Sequence, residues 1–153
     1  MTASRRLLLL LPALALTRCG GKPPPPPPSL ELTIACGPVI NPDETGAPAP
    51  VAVRIYLLSA ETRFQRADVF ALTEREKATL GGDGAMAEEL IVRPSSRQTL
   101  SPALKPDTHQ LGVVVLFRDI DHAQWRAMAP IAANGPTRLT LKIETNSASL
   151  APG

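Results

Sequence analysis

Apolar and polar residues alternate along several short stretches of the chain, which is the pattern of β-strands with one buried face. Leu30, Leu32 and Ile34, for example, fall on one face of such a stretch. The stretches that predict strands are residues 30–36, 51–58, 89–92, 97–103, 110–118 and 137–145. Turn-forming Gly, Pro, Asn and Asp separate them. The predicted fold is therefore mainly β, a two-sheet antiparallel sandwich.

The alternation gives way to a helical pattern after residue 58, which predicts a small helical insertion in the sandwich. Residues 68–72 predict a short helical turn. Thr73 and Glu76 then have the spacing of a capping box, in which each side chain bonds to the other residue's backbone amide. The helix that they begin is predicted to end at Leu80, before two glycines.

Residues 119–122 (DIDH) contain three groups that bind metals in other proteins. A calcium loop of the EF-hand type would need Gly at its sixth position and Glu at its twelfth, and this chain has Gln and Pro there. We therefore predict that Asp121 caps a second short helix over residues 120–128, in which Trp125 is the packing anchor. No metal site is expected.

The first 28 residues differ in composition from the rest of the chain. Arg5 and Arg6 precede an apolar run over residues 7–16. A run of about ten residues is too short to cross a ~30 Å hydrocarbon core as a helix. It is typical of a secretory signal peptide, which we predict over residues 1–18. Pro23–Pro28 predict a polyproline II spacer of roughly 19 Å, at ~3.1 Å per residue.

The end of the predicted signal peptide, Leu16-Thr17-Arg18-Cys19, resembles the lipobox of bacterial lipoproteins. By this resemblance Cys19 is the lipidated N-terminus of the mature protein, and its acyl chains form a stable membrane anchor. Gly20, rather than Asp, follows the cysteine, which favours the outer membrane. Arg18 stands where a small residue is usual, so cleavage after Ala15, giving a soluble periplasmic protein, is the alternative.

The chain is thus expected to have four parts. They are a lipoprotein signal peptide (1–18), a lipid anchor with a polyproline tether (19–29), a β-sandwich domain (30–147) and a C-terminal tail (148–153).

Loss of the signal peptide changes the charge of the protein. Three of its 16 basic residues lie before residue 19, so 13 would remain against 14 acidic ones. Without a basic stripe, binding to nucleic acid is not expected. Acylation of Cys19 would leave Cys36 unpaired, as a small buried apolar residue at the end of the first strand. A Cys19–Cys36 disulfide is the alternative if the lipobox is not used.

Candidate catalytic motifs are missing from the sequence. Gly81–Gly84 lacks the Lys-Ser/Thr of a phosphate-binding loop, and no G-x-S-x-G nucleophile elbow is present. His109 is interpreted as a loop residue rather than a metal ligand. The protein is therefore expected not to be an enzyme, and to carry no cofactor beyond the covalent lipid on Cys19.

One connection is long enough to suggest a binding surface. Residues 37–50 join the first two predicted strands with fourteen residues, four of them prolines. A tight hairpin needs only 2–5 residues. Prolines lower the entropy cost of holding one exposed conformation, and rigid scaffolds commonly present binding residues on such loops.

Taken in order, the motifs resemble the type VI secretion outer-membrane lipoprotein family (TssJ/VasD/SciN). The resemblance includes the lipobox, the early strand and a series of short segments: residues 41–43 (NPD), 46–48 (GAP), 51–58 (VAVRIYLL), 67–72 (ADVFAL), 93–94 (RP), 111–119 (LGVVVLFRD) and 125–126 (WR). These cover nearly the whole mature domain.

The resemblance implies a transthyretin-like sandwich anchored in the outer membrane and facing the periplasm. Its partners would be the periplasmic C-terminal region of a TssM-like inner-membrane protein and other subunits of the membrane complex. The loop 37–50 would contribute to that contact, through Asn41, Pro42, Asp43, Glu44, Gly46 and Pro48. The alternative function is a periplasmic lipoprotein that binds a carbohydrate or small molecule through its β-sandwich.

Overall fold

Residues 20–153 are described in a computed structural model, and eight strands and three short α-helices form the domain in this part of the chain. The strands are β1 (Ser29–Cys36), β2 (Val51–Leu58), β3 (Gly84–Val92), β4 (Arg97–Leu100), β5 (Gln110–Val115), β6 (Arg126–Pro130), β7 (Pro136–Ile143) and β8 (Ala148–Pro152). The helices are α1 (Thr62–Arg66), α2 (Val69–Glu74) and α3 (Glu76–Leu80), and two single 3₁₀ turns cover Gly81–Asp83 and Ile120–His122.

The strands form two four-stranded sheets, which confirms the predicted mainly-β sandwich with a small helical insertion. Sheet 1 has the order β4-β1-β7-β8 and sheet 2 the order β3-β2-β5-β6. Neighbouring strands are antiparallel, with the single exception of β1 and β7, which are parallel over eight residue pairs. A parallel pair needs a long crossover, and here the whole of sheet 2 lies between the two strands in sequence.

Burial of alternate apolar side chains between the sheets forms the main core. From sheet 1, Leu32 and Ile34 are fully buried, and Val53 and Ile55 face them from sheet 2. Removing such side chains from water contributes about 1.5–3 kcal/mol each to folding. The predicted strands 30–36 and 51–58 are confirmed almost to the residue.

A second, smaller core forms where the helical insertion covers the outer face of sheet 2. Its fully buried side chains are Tyr56, Leu58, Phe64, Leu72, Leu80 and Val114. The rings of Tyr56 and Phe64 are 5.3 Å apart between centroids. Phe64 reaches β5 only because position 112 is glycine, where a Cβ atom would lie 2.8 Å from the Phe64 ring.

Side chains of sheet 2 also hold the insertion in place by hydrogen bonds. The Tyr56 hydroxyl donates to the carbonyl of Leu72 at 3.1 Å. Arg126 donates through Nη1 to the carbonyls of Phe64 (2.8 Å) and Ala67 (2.7 Å). Its guanidinium also lies 4.7 Å from the ring centroid of Trp125. These bonds satisfy carbonyl groups that helix ends leave without partners.

The predicted capping box is wrong. Thr73 lies inside α2, and its hydroxyl donates back to the Val69 carbonyl at 2.8 Å. The carboxylate of Glu76 instead accepts from the backbone amide of Met86 on β3 at 2.7 Å. The N-cap of α2 is Asp68, which accepts from the Ala71 amide. A break at Arg75 separates α2 from α3, so that the apolar residues of both helices can pack on the sheet.

The predicted helix over residues 120–128 is also wrong. The chain makes only one 3₁₀ turn, which the side chain of Asp121 does not cap, and then enters β6, paired with β5. Pairing β6 with the edge of β5 satisfies backbone groups that a helix there would leave exposed. Trp125 precedes the strand and packs against both cores, so its role as a packing residue is confirmed.

The C-terminal segment is a strand rather than the expected tail. Residues 148–152 form β8 and pair antiparallel with β7. Ala148 is buried in the main core and Leu150 packs against it. Pairing with β7, together with these two side chains, holds the edge strand in place. Among the shorter predictions, β3 is longer than residues 89–92 and β4 ends before residue 103.

The topology places the connections at two opposite ends of the sandwich. We call one end the loop pole; it consists of residues 37–50, 93–96, 116–125 and 144–147. We call the other end the tether pole; it consists of residues 101–109, 131–135 and the start of β1 at Ser29. At ~3.3 Å per residue, β1 separates the two poles by roughly 23 Å.

Candidate functional site

The tip of the loop 37–50 is closed by hydrogen bonds within the loop. The Asp43 carboxylate accepts through Oδ1 from the amide of Thr45 (2.8 Å), the hydroxyl of Thr45 (2.7 Å) and the amide of Ala47 (3.0 Å). Gly46 adopts φ +84° and donates to the Asp43 carbonyl. The three bonds to the carboxylate lower the pKa of Asp43 from its ordinary value, and the bond from the Thr45 hydroxyl has the largest effect. The loop therefore has a defined turn at its tip.

The base of the loop is fixed by Asn41, whose side chain is buried. Its Nδ2 donates to the Pro50 carbonyl at 2.8 Å, and its Oδ1 accepts from the Arg118 amide at 2.7 Å. Its own amide donates to the Thr145 carbonyl at 2.9 Å. Asn41 also has φ +44°, a left-handed conformation that asparagine tolerates better than most residues. Asn41 thus joins three connections of the loop pole.

The predicted binding residues divide into two groups. Asn41 is buried and holds the loop, so its polar atoms are used inside the fold. Pro42 and Asp43 are half-buried, and Glu44, Gly46 and Pro48 are exposed. Ile40, next to Asn41, is fully buried, and its side chain packs in the main core. The surface that the loop offers is therefore its tip, residues 42–48.

A shallow depression lies beside this tip. Its volume is about 360 Å³, and Arg118, Asp119, Thr145 and Asn146 line it opposite residues 41–44. The Asp119 carboxylate lies 2.8 Å from Nδ1 of His122, and this contact raises the pKa of the histidine. Sequence reasoning did not assign these four lining residues to the site. They come from connections distant in sequence, which no local pattern links to the loop.

One of the two cysteines lies within the described residues and the other does not. Cys19, the predicted lipidation site, lies outside the described residues, as does the predicted signal peptide. Cys36 is half-buried at the end of β1 and packs against the main core. Burial raises the pKa of its thiol, and it has no disulfide partner within residues 20–153.

Potential metal-binding side chains are scattered over residues 20–153. No three of their His, Cys, Asp and Glu side chains are grouped so as to hold a metal ion. None of the helices in this part of the chain is long and apolar enough to cross a membrane. Gly81–Asp83 make a 3₁₀ turn into β3, and His109 is exposed.

Comparison with known protein families identifies the family of the chain. The model of the T6SS-SciN family, described as type VI secretion lipoprotein, VasD, EvfM, TssJ, matches residues 28–146. The chain belongs to this family. The sequence-based resemblance is thereby confirmed, together with the assignment to type VI secretion. Nothing among curated protein sequences matches the chain.

Solved structures of type VI secretion proteins have the same fold. The T6SS lipoprotein TssJ1 from Pseudomonas aeruginosa is 32% identical, with TM-score 0.80, over 84% of this chain and 98% of that one. A chain of a structure titled Type VI membrane complex is 27% identical, with TM-score 0.73, over 82% and 99%. A chain of the structure titled T6SS protein TssM C-terminal domain, from EAEC, is 24% identical, with TM-score 0.66, over 82% and 99%.

Proposed function

We propose that the protein is a structural, non-catalytic component of a type VI secretion membrane complex. It is anchored to the outer membrane by acyl groups on Cys19, which are its only covalent addition, and it faces the periplasm. Through the tip of the loop 37–50 it binds the periplasmic C-terminal region of a TssM-like inner-membrane protein. Other subunits of the complex assemble around this contact.

The observation that carries the proposal is the position of the loop relative to the tether. The proline tract enters the domain at Ser29, on the tether pole, and the loop 37–50 lies on the loop pole. A protein held at a membrane by its N-terminus therefore presents the loop on its far side. This is the side that a partner crossing from the opposite membrane reaches first.

The construction of the loop also suits it for binding. Residues in a preformed loop lose little conformational entropy when a partner binds, so less of the interaction energy is spent on ordering them. Asn41 fixes the base and Asp43 fixes the tip, as described above. The exposed residues 44–48, which follow Asp43, are therefore held in one arrangement before the partner arrives.

Membrane anchoring would strengthen this contact without adding any new atoms to it. A tethered partner meets its target at an effective concentration set by the length of the linker. The spacer 20–28 and the sandwich together set the height of the loop above the membrane. The strength of partner binding thus depends on the length of the tether as well as on the residues of the loop.

The alternative of carbohydrate or small-molecule binding receives no support from the aromatic residues. Such a site needs exposed aromatic faces on which a sugar ring stacks. Tyr56, Phe64 and Phe117 are buried, and Trp125 is stacked against Arg126. Phe70 is then the single well-exposed aromatic ring within residues 20–153, and one ring does not make a platform. An aromatic platform formed by Tyr56 and Trp125 is not present on the surface.

A matched pair of substitutions tests the proposal. Ala47 is exposed at the loop tip and Ala133 is exposed on the tether pole. Ala47→Arg places a long charged side chain in the proposed contact, and we expect it to weaken binding of the TssM-like periplasmic region by about tenfold or more. Ala133→Arg makes the same chemical change at the other pole and is expected to leave the affinity within about twofold. Equal effects of the two variants would contradict the proposal.

A further inference from the structure

The junction between the proline tract and the sandwich is built by two reciprocal hydrogen bonds. The amide of Gly135, in the turn between β6 and β7, donates to the carbonyl of Pro26 at 3.1 Å. The carbonyl of the same glycine accepts from the amide of Ser29, also at 3.1 Å. Both backbone groups of Gly135 are therefore used to hold the tract, and the two bonds enclose Pro27 and Pro28.

These bonds continue the parallel ladder of β1 and β7, in which Ser29 is paired with Pro136. In a regular parallel ladder, one residue bonds through its amide and its carbonyl to two residues of the neighbouring strand, and those two are two positions apart. Here they are three apart, because Pro28 has no amide hydrogen and Ser29 is the first residue after the prolines that has one. The tract thus leaves the domain as a bulged extension of β1.

Gly135 is suited to this role by its conformation. It is buried and has φ +74°, a left-handed conformation that costs a residue with a side chain more than it costs glycine. A Cβ atom at this position would lie 3.9 Å from Cγ of Pro26, so the tract packs directly over the turn. Pro28 is half-buried, whereas residues 20–27 are exposed.

We infer that the proline tract and the sandwich form one rigid strut, clamped at Gly135 and hinged at Gly20–Gly21. A polyproline II rod is stiff over several residues, but a stiff rod joined flexibly to a domain would still point in any direction. The clamp removes that freedom, because Pro26 is hydrogen-bonded to the turn at Gly135 three residues before β1 begins, and it lies directly over that turn. The tract spans roughly 19 Å at ~3.1 Å per residue, so together with β1 it holds the loop pole at most about 40 Å from the hinge.

The strut is rigid whichever partner the loop binds. The consequence is that the two glycines, and not the entry to the domain, decide how the protein can tilt. The height of the loop pole above the hinge is then fixed by covalent length, with little spread.

A distance measurement tests the clamp. Azide-bearing amino acids are placed at positions 22 and 99 of the full-length chain in detergent, coupled to nitroxide labels, and measured by pulsed electron paramagnetic resonance. Both native residues, Lys22 and Thr99, are exposed. We expect one narrow distance distribution, a few ångströms wide, as a rigid polyproline spacer would give. A broad distribution for the unmodified junction would overturn the inference.

Two variants and a matched control identify the cause of the narrow distribution. Ser29→Pro removes the donor to Gly135, and Gly135→Ala strains the clamp through its left-handed φ. Each is expected to widen the distribution at least twofold. Gly46→Ala strains a left-handed glycine on the loop pole, where a Cβ atom meets nothing within 4 Å, and should leave the width unchanged. A width that none of the variants alters would also overturn the inference.

Discussion

The backbone amide of Arg118 donates a 2.7 Å hydrogen bond to the side-chain oxygen of Asn41, a residue 77 positions earlier in the chain. The two residues belong to different connections at the loop pole. Asn41 is buried, so its amide group would carry a desolvation cost without this bond and the bond to Pro50. The shape of the proposed binding loop therefore depends on a contact between its base and a distant turn.

Replacement of Asn41 tests this dependence. Asn41→Ala removes two buried hydrogen bonds and places alanine at φ +44°, so we expect a loss of about 2–3 kcal/mol in the free energy of unfolding. Urea denaturation measures this directly. Asn134→Ala, at an exposed asparagine on the tether pole, should change stability by less than about 0.5 kcal/mol. Similar losses in both variants would show that Asn41 has no special role.

The tip of the loop can be tested through the pKa of Asp43. Its pKa is lowered, chiefly by the Thr45 hydroxyl, so the turn gains stability above the ordinary carboxyl pKa of 3.8 and loses it as the pH falls through the lowered value. Thr45→Val removes that hydroxyl. We expect the carboxyl NMR titration of Asp43 to move upward in this variant. An unchanged titration would mean that the hydroxyl does not contact the carboxylate in solution.

The packing of the helical insertion depends on Gly112. Gly112→Ala places a methyl group 2.8 Å from the Phe64 ring, and overpacking of this kind costs about 1–3 kcal/mol. Thermal or urea unfolding should show this loss, and Phe64→Leu in the same chain should recover part of it. Gly82→Ala is the control, because a Cβ atom there meets nothing within 4 Å. Full additivity of the Gly112 and Phe64 changes would argue against the contact.

The anchor is tested by metabolic labelling with a palmitate analogue. We expect the wild-type protein and Cys36→Ser to be labelled and to fractionate with the outer membrane, and Cys19→Ser to be unlabelled. The comparison of the two cysteine variants separates loss of the acylated residue from loss of a thiol in general. Label on Cys19→Ser, or an unlabelled wild-type protein, would remove the proposed anchor.

Strands in which large apolar residues alternate strongly with polar ones could be predicted from the sequence. Strands in which this alternation is weak could not. β1 and β2 carry large apolar residues at every second position, so their burial is visible locally. In β6 the core-facing residues are alanines, which gave no signal against the helical spacing around Trp125. β8 also lacks a strong pattern of its own. Its position is determined by its pairing with β7, which the local sequence does not indicate.

The candidate site, too, could be predicted from the sequence only in part. Length and proline content were enough to single out the loop 37–50, but they did not distinguish its buried base from its exposed tip. The prediction that Asn41 contacts the partner did not anticipate that its side chain is buried. Its burial depends on Arg118 and Thr145, whose proximity follows from the order of the strands. The Thr73 and Glu76 side chains likewise bond to groups that local spacing does not indicate.

If the anchor and the partner contact lie at opposite poles, in-cell photo-cross-linking should detect the partner at one pole and not at the other. A photo-reactive amino acid replaces Glu44 at the loop tip or, in a matched strain, Ala133 on the tether pole; both positions are exposed. We expect an adduct with the TssM-like protein from position 44 and none from position 133. An adduct from position 133 with none from position 44 would contradict this placement at opposite poles.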